Sequence, residues 1–388
     1  MINLLPHTAV LSIKKWSYWI FIPVALIPWL SMQLAEVTGQ LNLFSWLGVF
    51  MVFVTLPVAD LIVGKDVVNP TVDEERQMTD DPFYRFTAVM LVPVVYSLLV
   101  YGANVFNNIL EFSLLGALGW VLSCGVIIAI LSINAGHDLI HKDNRWESWA
   151  GGFLYAAISF GGFKIEHLRG HHVNVSTPKD ASSARYGQSL YQFLSIVYVH
   201  NQLSAWVLEK ERLAKRNLPL WHWKNELIWW YGVSVLLLIG LTMLFGISGF
   251  VFFLGVSWVS ITTLEIVNYI EHYGLHRRQL DNGKYERTTP AHSWNSSYFL
   301  SNIGMFQVQR HSDHHAFPKR RYQVLRHYEE SPQLPFGYAT MYLIALVPPL
   351  WFRIMNPRVD AYYQGEKWQL SSEQFEASAS GKILQSSS

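Results

Sequence analysis

Six stretches of about 20 mostly apolar residues constrain this chain more than anything else in it: about 16–35, 41–62, 85–107, 113–135, 226–247 and 249–271. That length is what a helix needs to cross the hydrocarbon layer of a bilayer. A helix also satisfies its own backbone there, where no water can. The expected fold is an all-α integral membrane protein with six transmembrane helices. Charged residues make up only 15% of the chain, against roughly 25% in soluble domains. The first stretch is longer than the apolar core of a signal peptide and no small-residue cleavage site follows, so it reads as an uncleaved span. Pro23 and Pro28 are placed to kink it.

Basic residues set the orientation. The joints near 36–40, 108–112 and 247–249 hold no Lys or Arg, whereas 63–84, 136–225 and 272–388 hold nearly all of them, with Lys14 and Lys15 ahead of the first span. Lys and Arg collect on the cytoplasmic side, which puts both termini and the blocks 136–225 and 272–370 in the cytoplasm. Residues 150–163 are apolar but too short to span, and are expected to be buried or at the membrane surface. Residues 1–370 read as a single membrane-embedded catalytic domain, and the Ser/Ala-rich 371–388 as a flexible tail. A net charge of +1 gives no nucleic-acid footprint. The single cysteine, Cys124, excludes an intrachain disulfide framework and any Cys-rich redox module.

Histidine carries the chemical signal. Nine of the 15 histidines lie in four short strings: HDLIH (His137, His141), EHLRGHH (His167, His171, His172), NYIEHYGL (His272) and QRHSDHH (His311, His314, His315). Residues at i, i+3 and i+4 share a helix face. His137 is therefore expected to point with His141, His167 with His171, and His311 with His314 and His315. Such imidazoles can close on one ion or divide between two neighbours. Nine are too many for one centre and fit two ions of four to five ligands each, and imidazole suits Fe, Cu, Ni and Zn. His137 and His272 follow the fourth and sixth spans, and the other two strings lie in the cytoplasmic blocks, so all four strings meet at one membrane face. The fold expected is thus a helical bundle whose cytoplasmic helical cap holds a histidine-rich dimetal site. His272 lacks a histidine partner at helical spacing.

Four acids are interleaved with these histidines: Asp138, Glu166, Glu271 and Asp313. Metal-bound imidazoles commonly donate their other N–H to a carboxylate, and ion pairing to Lys142, Arg169 or Arg310 is the alternative use. His276 and His292 are candidates for lining the site, whereas His7, His200, His222 and His327 read as ordinary surface or core residues. An intramembrane zinc protease would need Glu rather than Asp138 after the first histidine. A metal transporter would place its ligands at the bilayer midplane, not past the span ends.

At these strings the sequence resembles the alkane 1-monooxygenase (alkane ω-hydroxylase) family, within the wider membrane class with three histidine boxes that includes the fatty-acyl desaturases. The boxes appear here as HDLIH, HLRGHH and HSDHH, and NYIEHYGL is the box that resembles the hydroxylase branch. Further similar stretches are TPKDASSARYGQSLYQF, AHSWNSS and QRHSDHHAFPKRRYQVLR, and the resemblance covers about 60 to 360. The first box departs from the family's usual HELGH, and its Asp138 is closer to desaturases. The resemblance includes His272 among the ligands. It implies two non-haem Fe ions that activate O2 and hydroxylate the terminal carbon of a medium-chain n-alkane drawn from the lipid bilayer. A saturated C–H bond offers no handle for acid–base or nucleophilic attack. It further implies electrons from rubredoxin, reduced by rubredoxin reductase, and residence in a bacterial inner membrane. Arg277–Arg278 and Lys319–Arg320–Arg321 are candidates for the carrier's docking face. A related membrane di-iron desaturase, or a methyl-arene or fatty-acyl hydroxylase, is the alternative.

Overall fold

The computed structural model describes residues 5–108 and 112–364, and every regular element among them is helical. The predicted tail, 371–388, lies outside the described residues. Four helices are long and apolar enough to cross a membrane, His7–Thr38, Pro82–Asn108, Leu114–Ile140 and Glu226–His272, with the shorter apolar helix Leu47–Val63 beside them. They turn Trp29, Leu114, Leu118, Leu236 and Met243 outward. An exposed apolar surface of this extent belongs against lipid rather than water.

Proline explains where the first two stretches lose regularity. A proline has no N–H for the carbonyl four residues back. Pro23 deprives Trp19, and the chain tightens there into a 3-10 turn at Tyr18–Ile20. Pro57 deprives Phe53, and the helix widens into a π turn over Met51–Thr55. The predicted 41–62 stretch is accordingly a set of short helical pieces.

Glu226–His272 is not one rod. Gly246 has φ 61° and ψ −148°, a conformation open to glycine, and the chain reverses there. A Cβ on Gly249 would collide with the Leu241 carbonyl. Ser234 Oγ donates to the Ala156 carbonyl at 2.8 Å, while Ser257 Oγ meets Ser159 Oγ at 3.3 Å, so residues on opposite legs reach one turn. The legs are antiparallel, as the short predicted joint requires. The second leg runs alongside Leu114–Ile140, with Val121 against Gly255, and Ser260 Oγ donating to the Gly125 carbonyl at 3.1 Å. These two helices therefore bring His137 and His272 to the same end.

Leu114–Ile140 starts at Ser113, whose hydroxyl caps Gly116 N. It runs beyond the predicted end at 135, so His137 stands on the helix itself. Behind it packs Arg145–Ala157, holding most of the apolar 150–163 segment in buried positions. The approach is close because Gly151 sits where any Cβ would lie 2.9 Å from the Gly136 carbonyl. Leu190–Ala214, capped by Ser189 and Gln192, was not foreseen. It buries Asn201 and Glu209 and exposes Ile196, Val199, Leu203 and Val207. A buried ionic triad ties the ends of the chain together: Asp66 pairs with Lys14 at 2.7 Å and with Arg310 at 2.9 Å.

Candidate metal centre

The nine predicted histidines converge, and they divide into two groups. His137, His141, His167, His172 and His314 form one; His171, His272, His311 and His315 form the other. Within each group the candidate ligand atoms all lie within 4.8 Å of one another. In the first group, Nε2 of His167 stands 3.1 Å from that of His141 and 3.0 Å from that of His172, and His314 is 3.1 Å from His172. In the second, His311 is 2.8 Å from His315 and 3.2 Å from His272, and His171 is 3.2 Å from His315. The groups adjoin, with the His172 and His315 rings stacked at 4.4 Å.

Local backbone geometry makes the division, and it corrects two expected pairings. His167–His171 is a π turn, in which residues five apart rather than four come into register. His167 thus meets His172, and His171 turns to the other group. On His311–Ala316, an ordinary α-helix, His311 pairs with His315, while His314 faces the first group. His137 with His141, and His311 with His315, pair as expected. Each HH doublet, His171–His172 and His314–His315, gives one imidazole to each group, since adjacent helical residues point about 100° apart.

This donor set fits metal cations. A neutral imidazole has one N–H and one lone pair, so no arrangement of protons satisfies four or five ring nitrogens facing one another. A shared cation does. Burial, reinforced by neighbouring imidazoles, holds His167, His172, His311, His314 and His315 well below the ordinary histidine pKa. They are neutral, with lone pairs available. His171 shows the outward support usual for a metal-bound histidine: its Nδ1 meets Asp180 Oδ2 at 2.9 Å, and Asp180 also accepts from Ser183 Oγ at 2.6 Å. An apolar cavity opens beneath the groups, lined by Ile130, Ile133, Leu264 and Val267 and closed at its head by His137, His167, His311 and Glu271.

Two comparisons decide what carries this arrangement. The fatty acid desaturase family's sequence model matches residues 112–345. Alkane 1-monooxygenase 2 of Pseudomonas aeruginosa is 52% identical over 94% of this chain and 97% of its own length. The chain belongs to the alkane 1-monooxygenase family. Alkane 1-monooxygenase 2 of Alcanivorax borkumensis is also 52% identical, over 93% of this chain and 94% of its own. The xylene/toluene monooxygenase hydroxylase component of Pseudomonas putida is more distant, at 27% over 80% of this chain and 81% of its own.

In this alkane 1-monooxygenase relative the four interleaved acids have different surroundings. Only Glu271 touches an imidazole, 3.1 Å from His311 Nε2. Asp138 binds Lys142 and the Tyr322 amide, each at 2.9 Å, which is the ion-pairing alternative. Asp313 accepts from the Arg320 guanidinium, the Tyr328 hydroxyl and the Arg326 amide, bracing the helix from behind. Glu166 is buried beside Gly170 with one oxygen unpaired, and burial pushes its pKa well up. His276 stacks on Tyr363 and His292 meets Glu286, so neither enters the groups. Of the candidate docking charges, Arg320 and Arg321 are largely buried in pairs with Glu75 and Glu147, whereas Arg278 pairs with Glu286 at the surface. Lys319, paired with Asp143, remains exposed. Sequence reasoning missed Asp180. It lies inside the quoted TPKDASS run, and a lone acid in a polar run of turn-forming residues is the only signal it gives.

Proposed function

We propose that this chain is a membrane-embedded, non-haem di-iron monooxygenase that converts n-alkanes, of medium chain length, into 1-alkanols. One observation carries the reading: two adjoining groups of five and four imidazoles at the head of an apolar cavity. Imidazole holds iron through its redox steps, and two irons here would supply the oxidant that a saturated C–H bond requires, with O2 as co-substrate. His137, His141, His167, His172 and His314 would hold one ion; His171, His272, His311 and His315 the other, with Glu271 beside it. The family relationship supports iron over zinc.

The remaining work falls to the chain's own side chains. Ile130, Ile133, Leu264 and Val267 favour a hydrocarbon over water in the cavity. They orient it end-on, so that its terminal carbon meets the histidine head. Asp180 fixes the ring orientation of His171.

The apolar legs fit six spans, counting 41–62 and both legs of the hairpin, in a single catalytic domain, 1–370. Asn42 Oδ1 accepts from Ser113 N at 2.9 Å, and Asn104 and Phe245 line one cavity, so residues flanking the three joints without Lys or Arg lie at one end. The opposite end, with the histidines and the basic blocks, is then the cytoplasmic cap. Both termini would face the cytoplasm across a bacterial inner membrane. Electrons must come from outside, because a single cysteine cannot build an iron–sulfur relay. The reading assigns them to rubredoxin and its NAD(P)H-dependent reductase.

Product analysis tests the reaction. Purified protein with n-octane, O2, rubredoxin, reductase and NADH should yield 1-octanol. An alkene without alcohol would reassign the chain to the desaturases. Preferential turnover of a methyl-arene would reassign it to the aryl-methyl hydroxylases, which the 27% identity to the xylene enzyme disfavours.

A further inference from the structure

The cavity is not wholly apolar. Asn134 and Asn268 stand in its wall. Asn134 is three residues before His137 and Asn268 three before Glu271, so each lies one helical turn, about 5 Å, below the head of the site. An alkane makes no use of a carboxamide, and burying one in an apolar wall is costly unless it is hydrogen-bonded.

Both amides have a fixed orientation. Asn134 Nδ2 donates to the Ile130 carbonyl at 2.7 Å. Asn268 Nδ2 donates to Glu265 Oε2 at 3.0 Å. Glu265 is itself fully buried and takes a second donor, Asn201 Nδ2, at 3.1 Å, with Asn201 also bound to Ser182 Oγ at 3.0 Å. A carbonyl and a carboxyl oxygen each select the NH2 end of the carboxamide facing them. Each Oδ1 is left without a protein donor among the described residues. The cavity wall thus offers two hydrogen-bond acceptors and spends its donors elsewhere.

The substrate has no O–H or N–H to meet such acceptors; the product has one. We infer that Asn134 and Asn268, the latter oriented by Glu265, accept a hydrogen bond from the hydroxyl of the 1-alkanol as it leaves the head of the site, and so discriminate product from substrate. This rests on the terminal-hydroxylase reading. A ligand that only accepts hydrogen bonds gains nothing from these residues, which separates the inference from simple cavity polarity.

The test compares three ligands of one chain length on the purified enzyme: n-octane, 1-octanol and octyl methyl ether, which keeps the oxygen and loses the O–H. In the unsubstituted enzyme, 1-octanol should bind about threefold to tenfold more tightly than the ether after correction for micelle partitioning, the value of one neutral hydrogen bond. Asn268→Leu should raise the inhibition constant of 1-octanol relative to the KM for octane by the same factor and leave the ether-to-octane ratio in place. Asn134→Leu provides an independent second reading. Equal affinity for alcohol and ether in the unsubstituted enzyme overturns the inference, as does a parallel shift of all three ligands in both variants. Absence of 1-octanol among the products overturns the hydroxylase reading instead, and the binding comparison remains readable without turnover.

Discussion

The two imidazole groups lie side by side yet differ in what surrounds them. The group of five is all imidazole, and one member, His172, is partly exposed. The group of four is fully buried, has Glu271 against His311, and has Asp180 behind His171. The short helix that carries its His311 and His315, and also His314 of the group of five, is anchored from the preceding residue, because Arg310 binds the Leu325 carbonyl and Asp66. The difference teaches a division of labour. On the di-iron reading the five-membered group would complete a coordination shell from imidazoles alone, and through His172 it sits nearer solvent. The four-membered group has acidic support of its own, and it shares the buried ionic anchor at Arg310 with the other group through His314.

The sharpest way to break the comparison is to remove one ligand from each group. His314→Ala and His171→Ala should each lower hydroxylation below about 1% of the unsubstituted rate and lower bound iron, while the protein still inserts in the membrane. Retained activity in either would refute the ligand set. Next, Asp66→Asn leaves Lys14 and Arg310 buried without their counter-charge. The expected cost is about 3–5 kcal/mol, read as faster thermal inactivation, with iron lost from both groups because the anchored helix carries His311, His314 and His315. Unaltered thermal stability would show that the triad does not anchor that helix.

Smaller changes sharpen the contrast. Asp180→Asn should weaken one metal position about 10- to 100-fold in chelator competition and leave the other in place. Equal weakening of both would erase the asymmetry. Lys319→Glu disturbs only an exposed pair, which contributes little to stability. If the carrier docks beside the five-membered group, its apparent KM should rise at low salt and converge with the unsubstituted value at high salt. A KM that does not move at low salt would place docking elsewhere.

Much of this was legible in the sequence, for a physical reason. Apolar stretches of spanning length, Lys and Arg confined to alternate joints, and histidines just past the span ends are one-dimensional signals, so the bundle and the nine residues could be read directly. The partition of those residues could not. It depends on the π turn at His167–His171, and α and π registers share one composition. Leu190–Ala214 escaped because its apolar face is a stripe broken by Asn201, Glu209 and Arg212, not a run. The roles of Asp138 and Asp313 are set by residues distant in sequence, Tyr322 for one and Arg320, Arg326 and Tyr328 for the other. Asp180, Asn134 and Asn268 likewise show their use only once the cavity and the rings are in place.

The central claim is that two adjoining imidazole groups hold two irons. The most direct measurement is the metal content of the purified, folded protein. The account predicts about two irons per chain, the number nine imidazoles can hold, falling toward one in the Asp180→Asn variant under mild chelation. Zinc in place of iron, or a folded protein that retains one ion or none, would contradict it.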